Sequence, residues 1–152
     1  MLFKQAALGD ERAFVTGKNV EATSITTGMG AALRLGTTAS FDGTQMVRAI
    51  AGNAGDLPGF LGISVKDIPS NAYGLIQTYG NTASVLLSVT TTSITITAGD
   101  PLIPGAVAGT LFSGVPTYAA SGFNWVIASN PPTGTLSQAA PLYCSGFVRC
   151  IK

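Results

Sequence analysis

The sequence predicts an all-β protein, a compact antiparallel β-sandwich or barrel with an extended N-terminal arm. Three observations lead there. Period-two alternation of apolar and polar residues recurs in short segments rich in Val, Ile, Leu, Thr and aromatics, the pattern of half-buried strands. The 19 glycines and 8 prolines interrupt these segments and leave few windows with helical spacing. With 152 residues, the chain is long enough for one domain with a core that needs no disulfide staple.

Taken in order, residues 1–18 read as the arm. Lys4, Asp10, Glu11, Arg12 and Lys18 surround Phe3 and Phe14, and such a segment either frays or docks on a neighbouring subunit through its two rings. Residues 19–152 read as a single β domain. Its expected strands cover 21–26, 31–35, 44–49, 61–65, 71–80, 84–89, 93–97, 110–112, 124–128 and 142–151. The clearest is 71–80, where Tyr73, Leu75, Gln77 and Tyr79 alternate with Gly74, Ile76 and Thr78. Over 93–97, Ile94 and Ile96 alternate with Ser93, Thr95 and Thr97, then Ala98-Gly99-Asp100-Pro101 ends the run in turn chemistry. Short strands at this spacing suit a jelly-roll or β-tulip-like sandwich or barrel.

The chain also echoes itself. Ile25-Thr-Thr-Gly and Ile96-Thr-Ala-Gly align at an offset of 71, and the alignment extends to Phe41/Phe112 and Gly43/Gly114. Five identities over nineteen positions are weak evidence in a chain rich in Gly and Thr. They predict two similar β-halves packed together, each Ile-Thr-x-Gly ending a strand in a tight turn.

Charge excludes several functions. Only 10% of residues are charged, against about 25% in an ordinary soluble domain. From Ile68 to Val148 the only charged side chain is Asp100. A net charge of +1 with no basic run offers nothing to neutralise a phosphate backbone, so no nucleic-acid partner is expected. Histidine is absent, which removes the usual proton shuttle and the commonest zinc ligand. Two cysteines alone cannot complete a tetrahedral zinc site, so no metal is expected. Asp100 stands alone and Asp10 and Glu11 sit in a polar stretch, so no catalytic residue is assigned and no enzyme is expected.

The remaining motifs fail in the same way. Gly28-Met-Gly30 begins like a dinucleotide fingerprint, but Leu33 occupies the third glycine position. Gly17-Lys18 lacks the upstream glycine of a phosphate loop and is followed by Asn19. No Gly-x-Ser-x-Gly elbow occurs. No cofactor is therefore expected. Trp125 with Tyr73, Tyr79 and Tyr118 could form a platform for a sugar ring, but Trp125 sits in the apolar run Phe123-Asn-Trp-Val-Ile, where a core indole is the ordinary reading.

Cys144 and Cys150 lie in one segment; if it is extended they are roughly 20 Å apart, too far for a disulfide. Two free thiols suit assembly in a reducing cytoplasm. The first residues lack the apolar core of a secretory signal, and no run of about 20 apolar residues offers a membrane span. Low charge over so much of the chain is itself a functional clue. A free monomer keeps its surface charged, so an obligate oligomer or lattice component is expected.

The order of segments is familiar. Leu61-Gly-Ile-Ser-Val, then Ile68-Pro-Ser-Asn-Ala-Tyr-Gly-Leu-Ile-Gln-Thr-Tyr-Gly80, resembles the capsid cement, or decoration, proteins of tailed bacteriophages. Ala98-Gly-Asp-Pro-Leu-Ile-Pro-Gly105, followed by Gly109-Thr-Leu-Phe112, is similar to their Gly-Asp-Pro strand and following hairpin. The resemblance spans residues 60–115; the segment 20–60 has no part in it, and many such proteins are shorter. It implies a structural virion protein, a homo-oligomer, often a trimer, seated on the outer capsid surface after assembly in the host cytoplasm. It would clamp the major capsid protein lattice without chemistry of its own. Phe3, Arg12 and Phe14 of the arm are the expected capsid contacts, and the β body the expected subunit packing. A virion fibre head or a receptor- or glycan-binding β module is the alternative.

Overall fold

One strand organises the molecule. In a computed structural model, residues 11–34, 44–50, 59–87, 96–105, 107–113, 125–130 and 142–150 are described, and among them there is no helix. Strand β5 (Tyr73–Leu87) runs for 15 residues. Before it come β1 (Ala13–Asn19), β2 (Gly30–Leu33), β3 (Gln45–Arg48) and β4 (Phe60–Ser64); after it come β6 (Pro101–Pro104), β7 (Leu111–Ser113), β8 (Trp125–Asn130) and β9 (Leu142–Arg149). The protein is all-β, as its sequence pattern requires.

The strands form two closed circuits that share β5. The first runs β1-β3-β2-β4-β5 and back to β1; the second runs β5-β7-β6-β8-β9 and back to β5. In each circuit one pair is parallel, β1 with β3 and β5 with β7, and the others are antiparallel. Closing a sheet on itself leaves no unpaired edge. We call the circuits the N-terminal and C-terminal rings.

The two rings repeat one pattern residue by residue. Gly30 faces Ile63 as Pro101 faces Ile127. Ile63 faces Gln77 as Ile127 faces Phe147. Val15 faces Ile76 as Thr82 faces Gly146, and Lys18 faces Tyr73 as Leu86 faces Tyr143. Asn19 faces Met46 as Leu87 faces Leu111, and Leu33 faces Met46 as Pro104 faces Leu111. The turns repeat too. Met29 N–H donates to Thr26 O, and Asp100 N–H to Thr97 O, each at 3.1 Å. Gly28 N–H then donates to Ser64 O, and Gly99 N–H to Ala128 O.

The sequence echo is thus real over Ile25 to Leu33, where its offset of 71 matches the structure. It fails beyond. Phe112 pairs with Ile103 as Val47 pairs with Ala32, so the offset there is 65 and the Phe41/Phe112 match is chance. Residues 35–43 lie outside the described residues.

Each ring has its own apolar filling. Ile25, Ala31, Met46, Ile68 and Ile76 fill the N-terminal ring. Val85, Leu87, Leu102, Leu111, Val126, Ala128, Cys144 and Val148 fill the C-terminal ring, and Ala32, Ala49, Phe60 and Ile63 of the first ring join that same cluster. The outer face of the first ring is therefore part of the core of the second. Three backbone bonds stitch this joint: Gly30 N–H to Gly109 O, Gly109 N–H to Ala49 O, and Leu86 N–H to Gly28 O.

Several expectations meet this structure differently. The segment 21–26 is not a strand but a run of bends with one bridge, Ile25 to Ile68. The strands expected at 71–80 and 84–89 are one strand, β5. Of the arm expected over 1–18, residues 1–10 lie outside the described residues, whereas Ala13 to Lys18 belong to β1, paired along β5. Removing 1–18 would take a strand from the first ring, so that segment is not separable from the body.

Two glycines share one conformation in different surroundings, and their comparison tests this reading. Gly80 at the middle of β5 has φ +97°, and a Cβ there would sit 2.2 Å from Glu11 O; Gly99 has φ +96° with nothing within 4 Å. Gly99→Ala should cost about 1–2 kcal/mol from left-handed strain alone. Gly80→Ala adds an overpacking clash and should cost roughly 3–5 kcal/mol. Denaturant unfolding checks both, and equal losses would contradict the close passage of β5 past residue 11.

Candidate functional site

Among the described residues no group of three or more His, Cys, Asp or Glu side chains could hold a metal ion. What stands out is surface. Cross-strand pairing on β1 and β5 places Phe14, Thr16 and Lys18 beside Gln77, Leu75 and Tyr73. Alternation turns Gly17 and Asn19 inward and leaves Phe14, Tyr73 and Leu75 about half exposed, at 46%, 55% and 49%. Lys18 Nζ lies 5.8 Å from the centre of the Tyr73 ring, within cation–π range. These residues make an apolar stripe on the outside of the N-terminal ring with one cation at its edge.

Of the three expected contact residues, the structure places two. Phe14 belongs to this stripe. Arg12, exposed just before β1, lines a crevice of about 250 Å³ with Thr27, Ser64, Gln77, Thr82 and Ser84. Phe3 lies outside the described residues. The sequence shows Tyr73 and Leu75 only as one face of a strand; their partnership with Phe14 needs the β1–β5 pairing, which no local pattern announces.

The crevice lies where β5 leaves one ring for the other, and its polar groups serve that joint. Ser64 Oγ donates to Thr26 O, and Gln77 Nε2 donates to Tyr79 O (3.2 Å) and Asn81 O (3.0 Å). Asp67 Oδ1 accepts from Thr27 N–H (2.7 Å) and Thr27 Oγ1 (2.9 Å). Those bonds, the backbone one first, hold the Asp67 carboxyl below its ordinary value of 3.8. Asp100 does the equivalent work at the other turn, accepting from Thr97 N–H and Thr97 Oγ1 at 2.8 Å each. The lone acid of the second half is a turn brace.

The other candidates resolve as structural elements. Glu21 Oε2 takes both Arg48 N–H (3.0 Å) and Arg48 Nε (2.8 Å), tying the 20–25 segment to β3. Tyr79 packs edge-on against Phe147, centroids 5.2 Å apart, so it does not stand with Tyr73 as a platform. Tyr118 lies outside the described residues. Cys144 and Cys150 are free thiols, and burial pushes them up to about 11 and about 12. No described helix is long and apolar enough to cross a membrane.

Compared with known proteins, the chain matches no protein-family model and no curated sequence. The surface must be interpreted from its own chemistry.

Two measurements check this account. In an NMR titration, the Asp67 carboxyl should protonate below an unfolded-peptide aspartate. Because its folded value is lowered, its contribution to stability is present above pH 3.8 and is lost as pH falls through the folded value; Asp67→Asn should flatten that acid limb. A thiol reagent at pH 8 should react slowly with folded protein and rapidly with both cysteines after unfolding. Fast labelling of the folded protein would contradict the burial of Cys144.

Proposed function

We propose that this chain is a structural virion protein, a capsid cement or decoration protein. It binds the outer surface of a phage head and stabilises the major capsid protein lattice. One observation carries the reading. A body with almost no charge between residues 68 and 148 exposes apolar side chains, Phe14 at the start of β1 among them. A surface of that kind loses little on desolvation and gains from burial of apolar area. The resemblance to cement proteins adds support, since its residues fall on consecutive elements: Leu61 to Ser64 in β4, Tyr73 to Gly80 in β5, and Pro101 to Pro104 in β6 after the Gly99 turn.

The mechanism is mechanical. A bound subunit buries surface with neighbouring capsid subunits, so opening the shell must break those contacts as well. A contact of standard size covers roughly 1,600 Å², and many copies act together. Higher affinity for the expanded shell than for its precursor would bias the lattice toward the mature form. Arg12 and Phe14, at the exposed start of β1, are the proposed capsid-facing groups, with Phe3 ahead of them in sequence. No catalytic step is involved.

The test compares purified shells with and without the protein. It should co-sediment with shells and raise the temperature at which they release DNA. Arg12→Ala with Phe14→Ser should lower occupancy while the free protein keeps its unfolding temperature. Unchanged occupancy would remove these two residues from the contact, and no co-sedimentation at all would overturn the proposal. Binding to host envelope or glycan without shells would favour a receptor-binding module instead.

A further inference from the structure

The joint between the two rings is a template for a second joint. It is made by a giving face on the N-terminal ring and a receiving face on the C-terminal ring. The giving face is the Gly28 turn; Ala32, Phe60 and Ile63 join the apolar filling of the C-terminal ring. A Cβ on Gly28 would lie 3.0 Å from Ser84 Oγ, 3.2 Å from Tyr143 Cε1 and 3.3 Å from Leu86 N, so these three residues of the second half form the receiving face.

Because the rings share one register, each face has a counterpart on the other ring. The counterpart of the giving face is the Gly99 turn, and Ile103 and Ile127 stand where Ala32 and Ile63 do. There no described atom lies within 4 Å of a Cβ on Gly99, and Ile127 is 38% exposed where Ile63 is fully buried. The counterpart of the receiving face follows from the pairings: Leu86 corresponds to Lys18 and Tyr143 to Tyr73. Ser84 falls on the same outward row as Thr16. That is the exposed stripe already described. Among the described residues, one pair of faces is thus used and its counterpart pair is not.

We propose that copies of this chain associate head to tail. The Gly99 turn of one copy seats on Thr16, Lys18 and Tyr73 of the next, with Ile127 and Leu75 at the margin of the contact, repeating the Gly28 contact inside each chain. The charges agree. By the shared register Asp100 stands at the position of Met29 and Lys18 at that of Leu86, so the two external faces carry an acid and a base. The external joint is the weaker of the two. It lacks the covalent passage of β5, and Lys18 N–H, which replaces Leu86 N–H, already donates to Thr44 O at 2.8 Å. Such a contact is heterologous and closes into a ring of copies or runs on as a filament according to its rotation. This names a surface for the homo-oligomer that the sequence leads one to expect, and it needs no capsid.

The experiment uses the full chain without shells. In sedimentation velocity the mass should rise above that of a monomer with concentration, and Leu75→Glu should return it to monomer. Tyr73→Ser serves as a second, milder variant at an exposed site. The pair Thr16→Cys and Ala98→Cys should cross-link into a ladder under oxidation, while each single variant should not, because a head-to-tail contact brings unlike positions together. A monomer at several hundred micromolar would overturn the proposal. So would single variants that cross-link as well as the pair, which would indicate a two-fold contact. Capsid attachment can survive either failure, so the two proposals are separable.

Discussion

Both rings depend on the passage of β5 from one to the other. A 15-residue strand spans roughly 50 Å, and neither circuit closes without it: its first half pairs with β1 and β4, its second with β7 and β9. The handover falls at Gly80, whose positive φ lets the strand turn against residue 11 without breaking the ladder. Gln77 braces the same point, its amide donating to carbonyls on both sides of Gly80. A buried amide with two such bonds costs little; with none it would cost several kcal/mol. The core follows the same logic. Since Ala32, Ala49, Phe60 and Ile63 belong to the cluster of the second ring, the first ring cannot be withdrawn without exposing the second.

A repeated scaffold makes its differences informative. Asn19 and Leu87 occupy one position, and both are buried. Asn19 Nδ2 donates to Thr23 O at 2.9 Å and to Ile68 O at 3.1 Å, while its Oδ1 accepts Glu21 N–H at 3.0 Å. The first ring carries an irregular excursion over 20–25 that needs those bonds; the second meets the position with plain hydrocarbon. Lys18 against Leu86 is a difference of another kind. Leu86 is 5% exposed because the first ring covers it, and a lysine there would be buried without a partner. Its counterpart faces outward and tolerates the charge.

How much of this the sequence showed depends on where the governing interaction lies. Strands β2, β3, β4, β8 and β9 were legible to within a few residues, because alternation against a core is a local signal. Strand β1 was not. Glu11, Arg12 and Lys18 give it the composition of a solvated tail, and the stripe-bearing face alternates with Gly17 and Asn19 rather than with large apolar residues. Strand β6 begins and ends with proline and so reads as turn. Gly80-Asn81 reads as the end of a strand where β5 continues. For β1 and for Gly80 the deciding contact lies far along the chain. The stripe of Phe14, Tyr73 and Leu75 is the sharpest example, since Phe14 sits on the strand whose sequence reads as an arm.

The scarcity of charge acquires a physical meaning from ring closure. Open β-sheets expose unpaired N–H and C=O groups along their edges, and charged edge residues are a common protection against uncontrolled pairing. Here every named strand has two neighbours in a circuit, so the protein needs no charge for that purpose. Low charge then does not invite strand addition. It leaves faces, and faces associate only where shape and apolar area agree. The inner joint shows the terms: small residues at the crossing, Gly28, Gly30 and Gly109, let the two backbones approach within hydrogen-bonding distance, and aliphatic side chains fill the remainder. A neutral β body built this way can pack face to face against another without forming fibres by edge pairing.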